Sequence, residues 1–443
     1  MNILPTIGKN TVYASDYCHL DSNVTIGGGT DDIKAIQEIL DMAPVWGSLH
    51  LIVDGAALIS TGLRIHSNTT IECLNKDCGF YLADGADYCI ARNADWSIEE
   101  RKNKNIKLIG GTYNHNCLGQ AAELKESEYF PPNEGCSTIV VAMKFYGVED
   151  FTMQNLTICD QRRFALLMGN WKNVVMDNID IPLPHILPHQ NQDGLHFHSP
   201  GENLQLRNIH GRGGDDFIAI NTDEGDGKTS ISGVVIENVY LDNATQAIRL
   251  LCKGEGTLEN VFIRNVYGTY TTYGFFINQW MGKSKGHFKN INIENVFLKQ
   301  ADAIYDYTDP FAFYIGGIID NITIKNVSFE SDSSDYRILR VTDGSMERVV
   351  PGGDEIISSE TTIKHLVLDG VYMDDKKPGD KKWVCFDSDI DVERFVLKNV
   401  SAKVGCKSEA LVHIEAPARV KSISLSEIHT EGFEKTVKGD LSV

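Results

Sequence analysis

The stretch SGVVIENVY, residues 232–240, decides the fold of this 443-residue chain. Apolar residues recur at every second position and lead into an asparagine, which is the pattern of a half-buried β-strand. The pattern returns as ENVFIRNVY at 259–267 and as KNINIENVF at 289–297. Further copies on both sides carry the same asparagine, and these marker residues are Asn178, Asn208, Asn238, Asn265, Asn295, Asn326 and, after a longer gap, Asn399.

The marker asparagines up to Asn326 recur at intervals of 27 to 31 residues. Short strands at such an interval indicate a solenoid, because one coil must stack on its neighbours, about 4.8 Å away, to bury its apolar face. Asparagine tolerates left-handed backbone angles, so each marker is expected to turn the chain and to hydrogen-bond to the next coil. The coils are rich in Val and Ile and lack helical periodicity. They therefore favour an all-β, right-handed parallel β-helix over a leucine-rich repeat.

The repeat extends through the chain without a linker, so we expect one domain over residues 1–443. Its β-helix coils should occupy 51–443. Two polar stretches that contain Gly and Pro, near 113–135 and 341–358, are predicted to be loop insertions. Such loops wall a groove or pack on a neighbouring subunit, so a homo-oligomer is possible.

The N-terminal region, residues 1–50, differs from the coils and is predicted to form a cap. The sequence TDDIKAIQEILDMA indicates one helix over about 31–43, with an N-cap at its start. A helix in this position covers the exposed strand edges at the end of a β-helix. The residues predicted on its buried face are Ile33, Ile36, Ile39 and Leu40.

The composition restricts the partners of the protein. Asp and Glu outnumber Lys and Arg by 61 to 41, so the formal charge is −20, and such a field repels nucleic acids and anionic membranes. No apolar run is long enough to span a bilayer and no signal peptide is visible, so we expect a cytoplasmic protein unless a leader has been removed. The ten cysteines show no zinc-like spacing; we expect no metal and no cofactor.

Three aspartates stand out: Asp193 in NQDGLHF, and Asp215 with Asp216 in GGDDFIAINT. Aligning Asp193 with Asp216 on successive coils places Leu195 over Ile218, both inward, which supports this register. The three carboxylates would then share one outer patch, where repulsion keeps a proton on one of them. A protonated acid beside an ionised base is what glycoside hydrolysis requires. A cation site and ordinary solvated turn aspartates are the alternatives.

The same register suggests side chains that bind a sugar. His196 and Arg249 are predicted to point outward beside the acids, where they can bind hydroxyls or a carboxylate. Gln246 and Tyr273 follow in the column of Asp216. Phe276 is predicted to point outward too, and its ring can stack on a pyranose face.

The two acidic motifs, 22 residues apart, resemble the Asn-Thr-Asp-Gly and Gly-Asp-Asp motifs of glycoside hydrolase family 28. This is the polygalacturonase family of right-handed β-helices. The resemblance implies that Asp193, Asp215 and Asp216 form the catalytic cluster. Asp215 or Asp216 would be the general acid, and the others would activate the water that inverts the anomeric centre. Asn191 also matches the first motif, in which Gln192 replaces the usual Thr.

The sequence departs from the family where a uronate would be bound. Gln246 stands in place of the histidine of the Gly-His-Gly motif. Phe276 and Asn278 occupy the Arg and Lys positions of the Arg-Ile-Lys motif, although an alternative alignment keeps Arg249 and loses only the Lys. Either way, charge-assisted bonds to a carboxylate are lost, so we expect a carbohydrate substrate other than plain polygalacturonate.

The leading hypothesis is therefore an inverting glycoside hydrolase. A polysaccharide lyase or epimerase on the same scaffold and a non-catalytic glycan-binding β-helix are the other two hypotheses. The residues predicted to bind the substrate are Asn191, His196, Gln246, Arg249, Tyr273, Phe276 and Asn278.

Overall fold

The computed structural model of the protein describes residues 3–125, 138–222, 229–252, 254–279, 285–301, 310–331, 337–343, 360–375 and 382–441. The chain forms two compact units, residues 1–216 and residues 217–443. Most of the two predicted loop insertions, near 113–135 and 341–358, lies outside the described residues. The prediction of one domain over the whole chain stays a prediction.

The first unit consists of short parallel strands followed by longer ones that turn corners. Two 3₁₀ turns, Ala14–Asp16 and Cys117–Gly119, connect strands of this unit. Its strands are β1 (Thr11–Tyr13), β2 (Leu49–Val53), β3 (Ala56–Ile59), β4 (Leu63–Ile65), β5 (Thr69–Cys73), β6 (Gly79–Leu82), β7 (Ala91–Asn93), β8 (Asn103–Ile109), β9 (Thr112–Asn114), β10 (Met143–Cys159), β11 (Leu166–Ile181), β12 (Leu195–His198) and β13 (Gly201–Gly211), and β14 (Asp216–Thr222) begins at its last residue.

Three stacks of parallel strands form the faces of these coils. One face is β1, β2, β5, β8, β10, β11 and β13 in succession. The second is β3, β6, β9 and β10, and the third is β4, β7, β10, β11 and β12. Equivalent positions stack apolar side chains into buried rows, which supply the hydrophobic stabilisation of the coils. One such row is Leu51, Ile71, Leu108, Met153, Met176 and Leu206.

The predicted N-terminal helix is present but shorter than expected. It is observed as α1 (Ile33–Leu40), and a second short helix, α2 (Ala43–Trp46), follows it. Helix α1 packs against β2, β3 and β4. Neither helix of the described residues has the length and the apolar sequence needed to cross a membrane. The residues of α1 that are buried are Ile36, Ile39 and Leu40, as predicted, whereas Ile33 is half-buried.

The N-cap that is predicted at the start of this helix is present. Asp32 occupies the N-cap position, but its side chain makes no bond to the helix. Its carboxylate is buried and accepts the backbone N–H groups of His19 and Leu20, at 2.8 and 2.9 Å. Asp31 instead accepts the N–H of Ile33 at 3.1 Å. The buried carboxylate therefore fixes the preceding segment rather than the helix.

The second unit repeats the same construction with longer strands. These strands are β15 (Ile231–Cys252), β16 (Thr257–Asn278), β17 (His287–Gln300), β18 (Phe311–Ile315), β19 (Ile318–Ser331), β20 (Leu339–Val341), β21 (Thr361–Asp375), β22 (Val384–Phe386), β23 (Ile390–Ile414), β24 (Arg419–Val420) and β25 (Ile423–Lys438). Strands β15, β16, β17, β19, β21, β23 and β25 pair in parallel succession. A buried row follows this face: Ile236, Ile263, Ile293, Ile324, Leu368 and Leu397.

The marker asparagines behave as predicted. All seven have φ between 52° and 61°, in the left-handed region. The side-chain amide of Asn265 donates to Asn238 Oδ1 at 2.9 Å, and the amide of Asn295 donates to Asn265 Oδ1 at 3.0 Å. Asn326 continues the ladder to Asn295 at 3.2 Å. The same residue type therefore turns each corner and links it to the next coil.

We expect Asn265→Ala to lower the free energy of unfolding by about 3 kcal/mol. A left-handed alanine costs about 1–2 kcal/mol, and the two lost hydrogen bonds cost about 1 kcal/mol each. Asn265→Gly should recover the part of this loss that comes from the left-handed backbone. The control is Asn292→Ala, at a strand asparagine outside the left-handed region, which should cost less than about 1 kcal/mol. Urea unfolding of the three variants measures these differences. Equal losses for Asn265→Ala and Asn292→Ala would contradict the corner role.

A buried neutral histidine links its own coil to the coils on both sides in the first unit. The Nε2–H of His115 donates to the carbonyl of Tyr88 at 2.9 Å, and its Nδ1 accepts the N–H of Arg162 at 3.0 Å. Burial lowers the pKa of His115 from 6.5 to about 4. A second ring proton would point at the N–H of Arg162, so the folded protein holds this ring neutral.

This histidine makes the protein less stable in acid. The unfolded chain takes up the proton near pH 6.5 and the folded chain only near pH 4. The contribution of neutral His115 to the free energy of unfolding is therefore complete above pH 6.5 and is lost as the pH falls to 4. Between pH 7 and pH 4 the loss should be about 3 kcal/mol. His115→Gln removes the titrating group, and urea unfolding at both pH values should show a pH-dependent loss that is smaller by this amount. Equal losses in both proteins would refute this assignment.

Candidate active site

Backbone hydrogen bonds place the two acidic motifs side by side in the first unit. The N–H of Gly194 donates to the carbonyl of Asp216 at 2.9 Å, and the N–H of Gly214 donates to the carbonyl of Gln192 at 2.8 Å. In a parallel ladder a residue bonds to the neighbour before its partner, so the first bond puts Asp193 opposite Asp216. Two acidic residues from distant parts of the sequence thus occupy equivalent positions on adjacent coils.

Asp193 is the most buried of the three predicted catalytic acids. It is 2% exposed, and the Nδ1–H of His196 donates to its Oδ2 at 2.6 Å. Phe164 stacks on the imidazole of His196, with ring centroids 4.4 Å apart and planes 3° apart. His196, which is predicted to point outward beside the acids, is not solvated, because Phe164 covers the ring and leaves the residue 3% exposed. Asp215 and Asp216 are partly exposed.

The loop between β11 and β12 (the β11–β12 loop) is held by the glutamine that replaces the usual threonine. The side-chain amide of Gln192 donates to the carbonyls of Gln161 and His185, at 2.9 and 3.0 Å. Its Oε1 accepts the N–H of Leu187 at 2.6 Å. Gln161 in turn donates to the carbonyl of Asp193 at 3.1 Å. This network fixes the backbone immediately before and at the acid.

Asn191, another predicted binding residue, lies on the same loop and is exposed. Its φ of 48° is left-handed, which asparagine tolerates. The preceding residue, Gln190, is held by two cations: Arg162 Nη1 donates to its Oε1 at 3.1 Å and Arg163 Nη1 to its carbonyl at 2.8 Å. The side chain of Asn191 is therefore presented to solvent from a fixed backbone.

The remaining predicted binding residues belong to the second unit, in the predicted register. Gln246 is opposite Tyr273, and Arg249 is opposite Phe276, on strands β15 and β16. The guanidinium of Arg249 lies 3.8 Å from the ring centroid of Phe276, and its Nη2 donates to Asn278 Oδ1 at 3.0 Å. The side chains of Arg249 and Phe276, which are predicted to face outward, thus contact each other.

These five predicted binding residues are also buried, which differs from the expected exposed binding surface. Tyr273 and Phe276 pack with Phe311 and Tyr314 in one aromatic cluster. The rings of Tyr273 and Phe276 lie 4.5 Å apart, and those of Tyr273 and Tyr314 lie 5.2 Å apart. Because these rings cover one another, a side chain that points away from the coil interior is not thereby exposed to solvent.

The sequence profile of glycosyl hydrolases family 28 matches residues 54–364, well over half of the chain. The chain therefore belongs to this family.

The chain is similar to curated plant and fungal proteins. A polygalacturonase of Gossypium barbadense is 29% identical over 201 residues, which are 44% of this chain and 46% of that protein. A probable rhamnogalacturonase A of Aspergillus oryzae is 24% identical over 179 residues, covering 35% of this chain and 37% of that protein. The chain thus spans less than half the length of these relatives.

Among solved structures, a hyperthermoactive exopolygalacturonase from Thermotoga maritima superimposes with a TM-score of 0.52 at 14% identity. The superposition covers 88% of this chain and 93% of that chain. At this identity the similarity concerns the fold, and it agrees with the predicted right-handed parallel β-helix.

The buried Asp193–His196 contact leads to a stability prediction. His196→Ala leaves a buried carboxylate without this partner and should lower the free energy of unfolding by about 3 kcal/mol. The matched control is His210→Ala, because His210 contacts Asp180 at 2.9 Å on the exposed surface, where such a pair contributes less than about 1 kcal/mol. Urea unfolding at neutral pH compares them. Equal effects would show that burial does not strengthen the Asp193 contact.

Proposed function

We propose that this protein is an inverting glycoside hydrolase whose acids are Asp193, Asp215 and Asp216. The observation that carries the proposal is the 2.9 Å backbone bond from Gly194 to Asp216, which places the two acidic motifs on adjacent coils. Membership of family 28 supports the same reaction class. The partial exposure of Asp215 and Asp216 leaves them accessible to a substrate and to water.

In this reaction one acid donates its proton to the glycosidic oxygen as the C–O bond of the sugar breaks. A second acid, ionised, takes a proton from a water molecule that attacks the anomeric carbon from the opposite face. The bond formed to water replaces the bond to the leaving group, so the configuration inverts. We assign the proton donor to Asp215 or Asp216. Asp193 would be one of the acids that activate the water, and its Oδ2 accepts the hydrogen bond from His196.

His196 would act as a positioning residue in this mechanism. Its ring is held between the carboxylate of Asp193 and the face of Phe164, so it fixes the orientation of the acid. Catalysis is sensitive to such orientation, because small displacements of a reacting group lower the rate strongly.

The substrate we propose is a pectic oligo- or polysaccharide other than plain polygalacturonate. Arg249, the cation that the alternative motif alignment retains, stacks on Phe276 and donates to Asn278. A guanidinium held in this way does not present its full fork to a uronate carboxylate. Two relatives are named polygalacturonase and probable rhamnogalacturonase A, so both types of chain belong in a substrate panel.

The proposal is tested by Asp193→Asn, Asp215→Asn and Asp216→Asn. Each should lower turnover at least about 100-fold on whichever glycan is cleaved, because general acid–base catalysis contributes about 10²–10⁴. Asp180→Asn, at an exposed aspartate of the same unit, is the matched control and should keep full activity. Turnover is measured by mass spectrometry of products from polygalacturonate, rhamnogalacturonan and neutral oligosaccharides.

The products themselves distinguish the competing hypotheses. Proton NMR of the first-formed product should show the inverted anomer. An unsaturated product would replace the proposal with a lyase, and full activity in all three variants would remove the acids from the mechanism. Glycan binding without any product would indicate a non-catalytic β-helix.

A further inference from the structure

Three side chains from successive coils of the first unit meet at one corner. Cys117 follows β9, Asp160 follows β10, and His185 lies on the β11–β12 loop. Their ligand atoms all lie within 4.8 Å of one another. The Cys117 thiol donates to Asp160 Oδ1 at 3.2 Å, and His185 Nδ1 lies 2.9 Å from the same oxygen.

The stacking of the coils explains why these residues meet. Strand β9 pairs with β10 up to Cys159, next to Asp160. Strand β10 pairs with β11, and the N–H of Asp160 reaches the carbonyl of Pro182 at 3.3 Å, at the start of the β11–β12 loop. Corner residues of adjacent coils are therefore about 4.8 Å apart along the stack. Residues 43 and 25 positions apart in the sequence form one column.

We propose that Cys117, Asp160 and His185 form a binding site for a divalent zinc-type cation. A thiolate, a carboxylate and an imidazole are the ligands that Zn²⁺ combines, whereas Ca²⁺ and Mg²⁺ prefer oxygen alone. In a tetrahedral zinc site the ligand atoms are roughly 3.3–3.6 Å apart. The observed 3.2 and 2.9 Å contacts need to open by only about 0.4 Å.

Charge and access are consistent with this site. Cys117 and Asp160 are buried, whereas the His185 side chain is 49% exposed, so the column opens to solvent on its histidine side. On binding, the metal–sulfur bond forms and the thiol proton leaves to solvent, so two negative ligands meet a divalent ion. The neighbouring cation, Arg162, is directed to the carbonyl of Gln120 and the side chain of Gln190.

The site would join three coils through the loop that precedes the candidate acid. The carbonyl of His185 accepts the amide of Gln192, which is the residue before Asp193. A bound ion would therefore fix the β11–β12 loop to the corners of the two preceding coils. The inference concerns metal binding and does not depend on the proposed hydrolase activity.

The test is titration of the chelator-treated full chain with Zn²⁺ in competition with a chromophoric chelator. The wild type should bind one Zn²⁺ per chain at this site. Cys117→Ser and His185→Ala should each weaken that binding on the order of 100-fold, because loss of a direct ligand costs at least as much affinity as loss of a residue that hydrogen-bonds to a ligand. Serine keeps a donor toward Asp160, so this variant preserves the metal-free contact. The wild type should also melt at a higher temperature with Zn²⁺.

Matched controls separate a built site from adventitious binding. Cys89→Ala removes a cysteine as buried as Cys117, and His210→Ala removes a histidine that contacts Asp180 with the same 2.9 Å geometry. Both should bind Zn²⁺ like the wild type. Co²⁺ should give a thiolate charge-transfer band that Cys117→Ser abolishes. Absent stoichiometric binding, or binding that Cys117→Ser and His185→Ala leave unchanged, would overturn the proposal and leave the column a hydrogen-bonded contact.

Discussion

The register between successive coils is the constraint on which the rest of this protein depends. Backbone bonds connect each coil to the next at equivalent positions, and buried rows of Ile, Leu and Met make a shift by one residue unfavourable because it would turn them outward. Asparagines with left-handed angles fix the corners. Since each coil contacts mainly its neighbours, stability accumulates from one interface to the next.

The same register brings polar residues together that are remote in the sequence. It sets Asp193 opposite Asp216 on adjacent coils. It also sets Cys117, Asp160 and His185 at consecutive corners. The two groups differ in character. The first contains the buried Asp193 and His196 and the partly exposed Asp215 and Asp216. The second combines a thiol, a carboxylate and an imidazole, which are ligand types that bind a transition metal. Both arise from the stacking rather than from any short motif.

The repeat, the corners and the pairing of coils could be predicted from the sequence, because alternating apolar residues and an asparagine recur at a regular interval. The exposure of the outward column could not. His196 is covered by Phe164 from the preceding coil and Arg249 by Phe276 from the following one, and periodicity reports only the inward or outward direction of a side chain. The Asp32 carboxylate similarly bonds an earlier segment instead of α1. The meeting of Cys117, Asp160 and His185 could not be predicted, because the three residues follow no fixed spacing along the chain.

The β11–β12 loop leaves one coil at its corner and returns at the next, held mainly by the amide of Gln192. Doubling the length of a flexible loop costs only about 0.6 kcal/mol in closure entropy. This segment can therefore be exchanged for a longer or shorter one while the stacked coils remain as they are. Members of this family can therefore differ in this segment and still share the architecture of the stacked coils.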